Sequence, residues 1–518
     1  MNHAAQRALV LAALLPVLGS VYQTLVLTDL VDADIRRGVG YDKGDGTWLS
    51  ASWGLSMLFG VFAGLALSRK FGPRNILVAG MLVFALGNLM CGCAEGFRGL
   101  MLARFVEGLG KGMAIVLLRS FLYSRFDRMV FIAVLCYGLL AYSTRGTSPM
   151  VAAMVNEALG WNWVYWLSVP AGIGGAGLIL LLVPADSPSP HANKGPKPDG
   201  LLIMLLVSWL ISLLFVLGWR EKEGGFTSNL YMGLLAFNAL LFACLAGRMM
   251  FSYSRGDQFA RLLRSRSYLC SMGGRMLLLL HLAAILGVLS SFLTEGRGMP
   301  AVEAGSLFLP ATISMAASFV ACACIPNRDW RHLSLLAGVL GASACVLWLS
   351  TTGLATSNHA LANIIAVWGA CVGTIPASFL IDEVETLDKA DMPSAAAFAI
   401  VVLATPLILV PSLMGTAVSE GRVAAYETQR ELVRPERPVV AETLARGMDR
   451  FSRLGLDEKQ TAVLSAGTLG AIVELECATM GLQSGLRLLA LLTGVLGACV
   501  AIPLLMFPGN RLTNISPQ

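Results

Sequence analysis

Residues 46–72 read GTWLSASWGLSMLFGVFAGLALSRKFG. From Gly46 to Ser68 no side chain is charged; then Arg69 and Lys70 arrive together. An uncharged run of that length suffices for an α-helix to cross the roughly 30 Å of bilayer hydrocarbon. The basic pair that ends it marks the side facing the cytoplasm. A second apolar run, 75–94, begins just past Arg74, so the two read as a helical hairpin with a basic turn.

Outward from this hairpin the same pattern repeats. Runs long enough to span fall at about 8–30, 47–67, 75–94, 100–123, 129–154 and 162–183, then at 200–218 and 229–251. The last six are 268–292, 304–325, 333–352, 360–381, 394–418 and 484–507. The expected fold class is an all-α polytopic membrane protein with fourteen transmembrane helices. Composition agrees: of 518 residues, 56% are hydrophobic and 14% charged, with a mean hydropathy of +0.69. So few charges cannot cover a soluble surface of that size. The net charge of +6 is therefore a matter of membrane sidedness, and no nucleic-acid partner is expected. Nearly all of the eleven cysteines lie in apolar runs, where an isolated Cys behaves as a small apolar residue. CGC (91–93) and CAC (322–324) lack zinc-site spacing, so neither metal nor cofactor is expected.

With the N-terminus in the cytoplasm, one side receives Arg69, Lys70, Arg74, Arg125, Arg128, Lys194, Lys197, Arg248, Arg255, Arg261, Arg264, Arg266, Arg328 and Arg331. The other side's short loops hold only Arg36, Arg37, Lys43, Arg98, Arg220, Lys222 and Arg297. This asymmetry obeys the positive-inside rule and places both termini in the cytoplasm. The chain then divides into a six-helix bundle (1–183), a Pro/Gly/Ser-rich cytoplasmic linker (184–199), helices 7 and 8 (200–251), helices 9–13 (268–418), an extracytoplasmic segment (419–483) and helix 14 (484–507). The 419–483 segment has helical spacing with a break at Arg434-Pro435-Glu436-Arg437-Pro438, and reads as amphipathic helices capping the outer mouth. Gly60-xxx-Gly64, Gly108-xxx-Gly112 and Gly369-xxx-Gly373 are small-residue pairs that permit close helix packing.

Several function classes drop out. There is no GxxxxGK[ST] loop and no soluble domain to hold one. Gly108-x-Gly110-x-Gly112 lies inside a membrane run, not after a strand, which excludes a dinucleotide site. An intramembrane enzyme would need a polar catalytic set at one depth, and no Ser–His pair or metal-ligand spacing supplies it. A non-transporting receptor would carry a larger soluble domain than 419–483. Charges inside the runs cost about 2.5–3.5 kcal/mol or more, so they face a cavity or a partner. The candidates deep enough to matter are Asp29, Arg104, Glu107, Lys111, Arg145 and Arg275, joined by His281; Arg119, near the cytoplasmic end of its run, is expected to snorkel. Arg104, Glu107 and Lys111 share one helical stripe and are expected to form an Arg–Glu–Lys network. Asp29, Arg104 and Arg145 all lie toward the outer half and are expected to meet. Asp32 and Asp34 read as a hydrated loop.

The chain resembles the fourteen-span drug:proton antiporters of the major facilitator superfamily, the EmrB/QacA type. The resemblance covers nearly the whole chain. It rests on residues 46–72, on LARFVEGLGKG (102–112), on SPMVAAMVNEALGWNWVYWLSVPAG (148–172) and on WGACVGTIPASFL (368–380), in that order. It implies two six-helix bundles around a central cavity, helices 7 and 8 inserted as a hairpin, and alternating access by rocking. Gly64, Arg69, Gly72, Arg74 and Pro149 then fall on gating or structural motifs. Asp29, Arg104, Glu107, Lys111 and Arg145 fall on the proton-coupling network. Tyr22 stands where the family's first helix carries an acid. Tyr22, Arg275, His281, Trp368, Phe379 and Phe398 become cavity residues, polar in the first half and apolar in the second, which suits amphiphilic molecules. The implied function is proton-coupled export of drugs or amphiphilic organic compounds across the cytoplasmic (inner) membrane of a bacterium. A dedicated exporter of one metabolite, such as a siderophore or an organic acid, is the alternative. The implied partners are small substrates, protons, the lipid bilayer, and a periplasmic adaptor with an outer-membrane channel.

Overall fold

The computed structural model describes residues 14–24, 27–28, 30–125, 130–183, 200–219, 228–255, 266–386, 392–434 and 436–506. Among them there is no strand. The first bundle comprises α1 (Leu14–Gln23) and the short α2 (Asp32–Val39), followed by α3 (Lys43–Phe71), α4 (Pro73–Gly92), α5 (Phe97–Arg125) and α6 (Val130–Leu159). It ends with α7 (Trp161–Trp166) and α8 (Ser168–Leu182). Next come α9 (Gly200–Trp219) and α10 (Asn229–Arg255). The second bundle begins with α11 (Arg266–Ser291) and a π-helical turn (Phe292–Gly296). It continues with α12 (Ala301–Ser306), α13 (Phe308–Ala323), α14 (Arg328–Leu349) and α15 (Asn358–Thr386). The last helices are α16 (Met392–Leu432), α17 (Pro438–Ser452) and α18 (Glu458–Met506).

Each apolar run read from the sequence overlaps one of these helices or a broken pair of them. Nine helices among the described residues are long and apolar enough to cross a membrane. The 29-residue α5 has the length, but Arg104, Glu107 and Lys111 fall within one spanning length of it. Leu181, Met250 and Ile313 are 82%, 73% and 72% exposed. Large apolar side chains left so bare belong against lipid.

Glycine sets how the helices meet. A β-carbon on Gly112 would strike the Met57 carbonyl, and Gly108 abuts Trp53 and Ser56 in the same way. From the other side, Gly60 meets Leu109 and Gly112, and a Gly64 β-carbon would lie 3.0 Å from the Met113 Cα. The two GxxxG pairs of α3 and α5 thus pack on one another, backbone to backbone. Gly110 turns to α4, against Gly80 and Phe84. In the second bundle Gly369 and Gly373 of α15 bring the same closeness to Ala311 and Met315 of α13. At the hairpin turn, Gly72 has φ +85°, open to glycine without strain, and Pro73 opens α4 at its first turn.

The bundles meet along two seams. On one, α6 packs on α12, α13 and α15: Gly305 lies on Met150, Gly146 on Thr312, and Gly138 on the Phe319 ring. On the other, α3 and α5 pack on α16. The inserted pair lies over this second seam, with α9 against α3 and α16, and α10 against α9.

We call upper the end where α2 lies and from which α16–α18 project. There the structure departs from two expectations. Asp32 and Asp34, though still partly exposed, do not lie in a loop: they open α2. Arg36 bonds Asp32 at 2.8 Å, Tyr41 donates to Asp32 at 3.2 Å, and Asn156 donates to Asp34 at 2.6 Å. Acids at a helix N-terminus with basic residues a turn later satisfy the helix dipole. Nor do helices break at 418–419 or 483–484. The polar residues beyond those points keep the 3.6-residue period, so α16 and α18 run through, 41 and 49 residues long. Helix α17 packs back on α18, where Ser465 donates to the Leu444 carbonyl at 2.8 Å.

Gly112→Leu is expected to overpack the α3–α5 crossing by about 1–3 kcal/mol or more. A large fall in membrane yield and in detergent Tm checks this. Gly174→Leu, at a glycine with open space around it, should leave both near wild type.

Candidate functional site

The stripe on α5 is the polar centre of the first bundle. Residues 104, 107 and 111 are spaced three and four apart and so project from one side of the helix. Arg104 Nη1 pairs with Glu107 Oε2 at 2.7 Å, with side-chain exposures of 11% and 0%. The other carboxylate oxygen, Oε1, accepts the indole N–H of Trp53 at 3.3 Å. The Trp53 ring lies 5.3 Å from the Arg104 guanidinium carbon and 4.8 Å from Lys111 Nζ. Lys111 Nζ donates to the hydroxyl of Thr24, just past α1, at 2.6 Å. Arg104 also lies 5.9 Å from the Tyr165 ring of α7. Arg104 and Glu107 therefore form a direct ion pair, while the Trp53 ring stands beside both Arg104 and Lys111. Gly87 of α4 presses on the Glu107 backbone from behind.

Of the other residues expected here, Asp29 lies outside the described residues, as does the side chain of Arg145, whose backbone belongs to α6. Tyr22 of α1 hydrogen-bonds Tyr137 of α6 through the two hydroxyls, with the rings edge to face at 5.8 Å. Pro149 is buried inside α6. At the lower end Arg69 is half-buried in the last turn of α3, and Arg74 donates to the Leu180 carbonyl of α8.

In the second bundle Arg275 is buried with its guanidinium 5.1 Å from the Phe379 ring. Gly274 faces Phe379 and Leu335. His281 is two turns along from Gly274, on the same face of α11, and Trp368 is three turns from Phe379 on one face of α15. Both are buried, and neither His281 ring nitrogen has a hydrogen-bond partner among the described residues; the same holds for the Trp368 indole. Phe398 does not join them. It stacks on Tyr268 at 6.2 Å in a separate small cluster at the lower end.

The upper ends of the bundles are tied by Arg36 of α2, which bonds Glu295 of the π-turn at 2.9 Å. Burial alone would lower the proton affinity of the Arg36 guanidinium; Asp32 and Glu295 outweigh it and hold the group above its usual range. Burial, then the Asp32 carboxylate, push the Tyr41 phenol well above its usual range too.

Sequence reasoning did not single out Trp53, Thr24, Tyr137 or Tyr165. For Trp53 a signal existed. Membrane tryptophans favour the interfacial belts, and this one lies within an apolar run, more than four turns before the basic end.

Comparison with known proteins agrees with this architecture. Two crystal structures of a bacterial homolog of the human lysosomal transporter Spinster, inward-facing in occupied and unoccupied forms, superpose with TM-scores of 0.57 and 0.58. They share 12% and 13% identity, and each alignment covers 96% of both chains. The putative multidrug resistance protein MdtD of Escherichia coli O1:K1 / APEC is 24% identical over 310 residues, 58% of this chain and 63% of that protein. The MFS-type transporter VdtG of Byssochlamys spectabilis is 20% identical over 300 residues, 56% and 53% of the two chains. The chain thus spans less than two thirds of the length of these curated relatives. The profile described as Major Facilitator Superfamily matches residues 8–411. A multi-pass membrane protein of paired helical bundles, this chain belongs to the major facilitator superfamily.

Proposed function

We propose that the chain is a proton-coupled antiporter that exports drugs or other amphiphilic organic compounds by alternating access. One observation carries the reading: a fully buried carboxylate, Glu107, ion-paired with Arg104 within a membrane helix. Burying such a pair is costly against an apolar substitute, and intramembrane ionisable groups mark ion pathways. Protonating Glu107 would release the charge of Arg104 to a substrate or to a second helix arrangement. The likeness to MdtD supports the substrate class. In this reading the upper end faces away from the cytoplasm, both termini are cytoplasmic, and the membrane is the inner membrane of a bacterium. The Arg36–Glu295 bond then closes the outer face. The projecting α16–α18 helices, with Val423, Tyr426, Val463 and Ile472 exposed, would offer a periplasmic adaptor its docking platform, and through it an outer-membrane channel.

In proteoliposomes with an imposed pH gradient, ethidium (an amphiphilic cation) or deoxycholate (an amphiphilic anion) should move against its own gradient. A protonophore should stop this and ATP should not replace it. Movement of both probes that is indifferent to the protonophore would sink proton coupling.

Arg104→Ala leaves Glu107 buried and unpaired, which costs about 3–5 kcal/mol, so yield should fall and transport should vanish. Arg104→Ala with Glu107→Gln should recover the yield and still not transport. Normal transport by the double variant would make the pair a helix lock only.

Replacing residues 433–457 with a short Gly/Ser linker should abolish co-purification of the adaptor while gradient-driven transport persists. Unchanged adaptor capture would leave the projection without that role.

A further inference from the structure

We infer that Trp53 is the positioning residue that makes the two oxygens of Glu107 inequivalent, so that a proton arriving at this carboxylate releases Arg104 and nothing else. The inference deepens the proton-coupled reading of the same site and rests on it. Trp53 is 4% exposed. Its carbonyl accepts the Ser56 hydroxyl at 2.9 Å and presses on Gly108 of α5. The indole is therefore anchored at its backbone to the helix that carries Glu107. Its N–H holds Oε1 at 3.3 Å while Arg104 holds Oε2 at 2.7 Å.

The two bonds respond differently to a proton. A neutral indole N–H can donate to a carboxylate oxygen or to the carbonyl oxygen of the neutral acid. A guanidinium bound to a carboxylate loses its charge pairing when the acid is neutralised. The proton thus adds to Oε2, forming an O–H bond there. The ion pair to Arg104 breaks, and Oε1 stays a carbonyl that still accepts from Trp53. No other bond is made or broken. Arg104 leaves along the Trp53 and Tyr165 rings, whose faces receive a guanidinium without needing its charge to be neutralised. Lys111 remains against the Trp53 ring and the Thr24 hydroxyl throughout. The groups facing the carboxyl are Arg104 and Lys111 on its own helix, Cys91 of α4 and Tyr165 of α7. Tyr41, just past α2, lies near enough to feel the charge of Arg104. Asp29 of the α1–α2 connection lies outside the described residues.

The test needs no substrate. Infrared difference spectra of the purified full-length protein in lipid nanodiscs are recorded through a pH titration. The protonated-carboxyl stretch of Glu107 is the band that Glu107→Gln removes. In the wild type it should appear at the lower frequency of a hydrogen-bonded carbonyl. In Trp53→Phe, which keeps an aromatic face and loses the N–H, the band should move to higher frequency. A Trp53→Phe band with the wild-type frequency overturns the inference. Should Trp53→Phe not reach the membrane, a wild-type band at the frequency of a carbonyl without a donor overturns it alone. If Glu107→Gln removes no band, Glu107 takes up no proton, and the proton-coupled reading of this site falls together with the inference.

Discussion

In hydrocarbon, helices gain nothing by hiding apolar faces from each other, so the distance to which their backbones can approach decides what holds. This protein depends on that closeness. Gly60 and Gly64 of α3 meet Leu109, Gly112 and Met113 on α5, Gly108 of α5 meets Trp53 and Ser56 on α3, and Gly369 and Gly373 of α15 repeat the arrangement against α13. The stripe of Arg104, Glu107 and Lys111 lies on the same helix as the α5 glycines. The contact that fixes α5 against α3 therefore also fixes the ion pair against Trp53. Packing and chemistry share one piece of backbone, and neither could be re-registered by a turn without losing the other.

The α6 seam between the bundles mixes two kinds of contact. The glycines of α6 receive side chains, the Phe319 ring at Gly138 and Thr312 at Gly146, while Gly305 lies on the Met150 backbone. Side chains can change rotamer where backbone contacts cannot, so the Gly138 and Gly146 contacts are the more adaptable part of this seam. At the upper end a single described ion pair, Arg36 to Glu295, bridges the two halves. It is largely buried and sits on the π-helical turn that ends α11, a local irregularity of the kind often found at functional positions.

Much of this was legible in the sequence. Spans follow from the length of apolar runs, and the α5 stripe follows from spacings of three and four. What stayed hidden depends on helices far apart in the chain. That Trp53 donates to Glu107 is a fact of the α3–α5 crossing, 54 residues apart, and no local pattern contains it. Asp32 and Asp34 looked like loop charges because their partners Tyr41, Asn156 and Arg36 could not be known to converge. Phe398 was grouped with Trp368 by residue type, and depth in the membrane separates them. The continuous α16 and α18 were missed because hydropathy falls at the membrane boundary while helical periodicity does not.

That continuity has a mechanical consequence. Helix α18 is fastened to the rim of the second bundle where Thr479 bonds the Gly296 carbonyl at 2.8 Å and Gln483 bonds the Thr352 carbonyl at 2.7 Å. Beyond Thr479 it runs on to Glu458, roughly 30 Å of uninterrupted helix at 1.5 Å per residue. It is braced by α16 through Arg422 and Glu474. A braced rod fixed at one end works as a lever. A turn of the second bundle by about 15°, ordinary for rigid-body switching, would sweep the rod's tip through about 8 Å. The tip would thus magnify a small rotation inside the membrane into a displacement approaching the width of a helix, in the aqueous layer where another molecule could feel it.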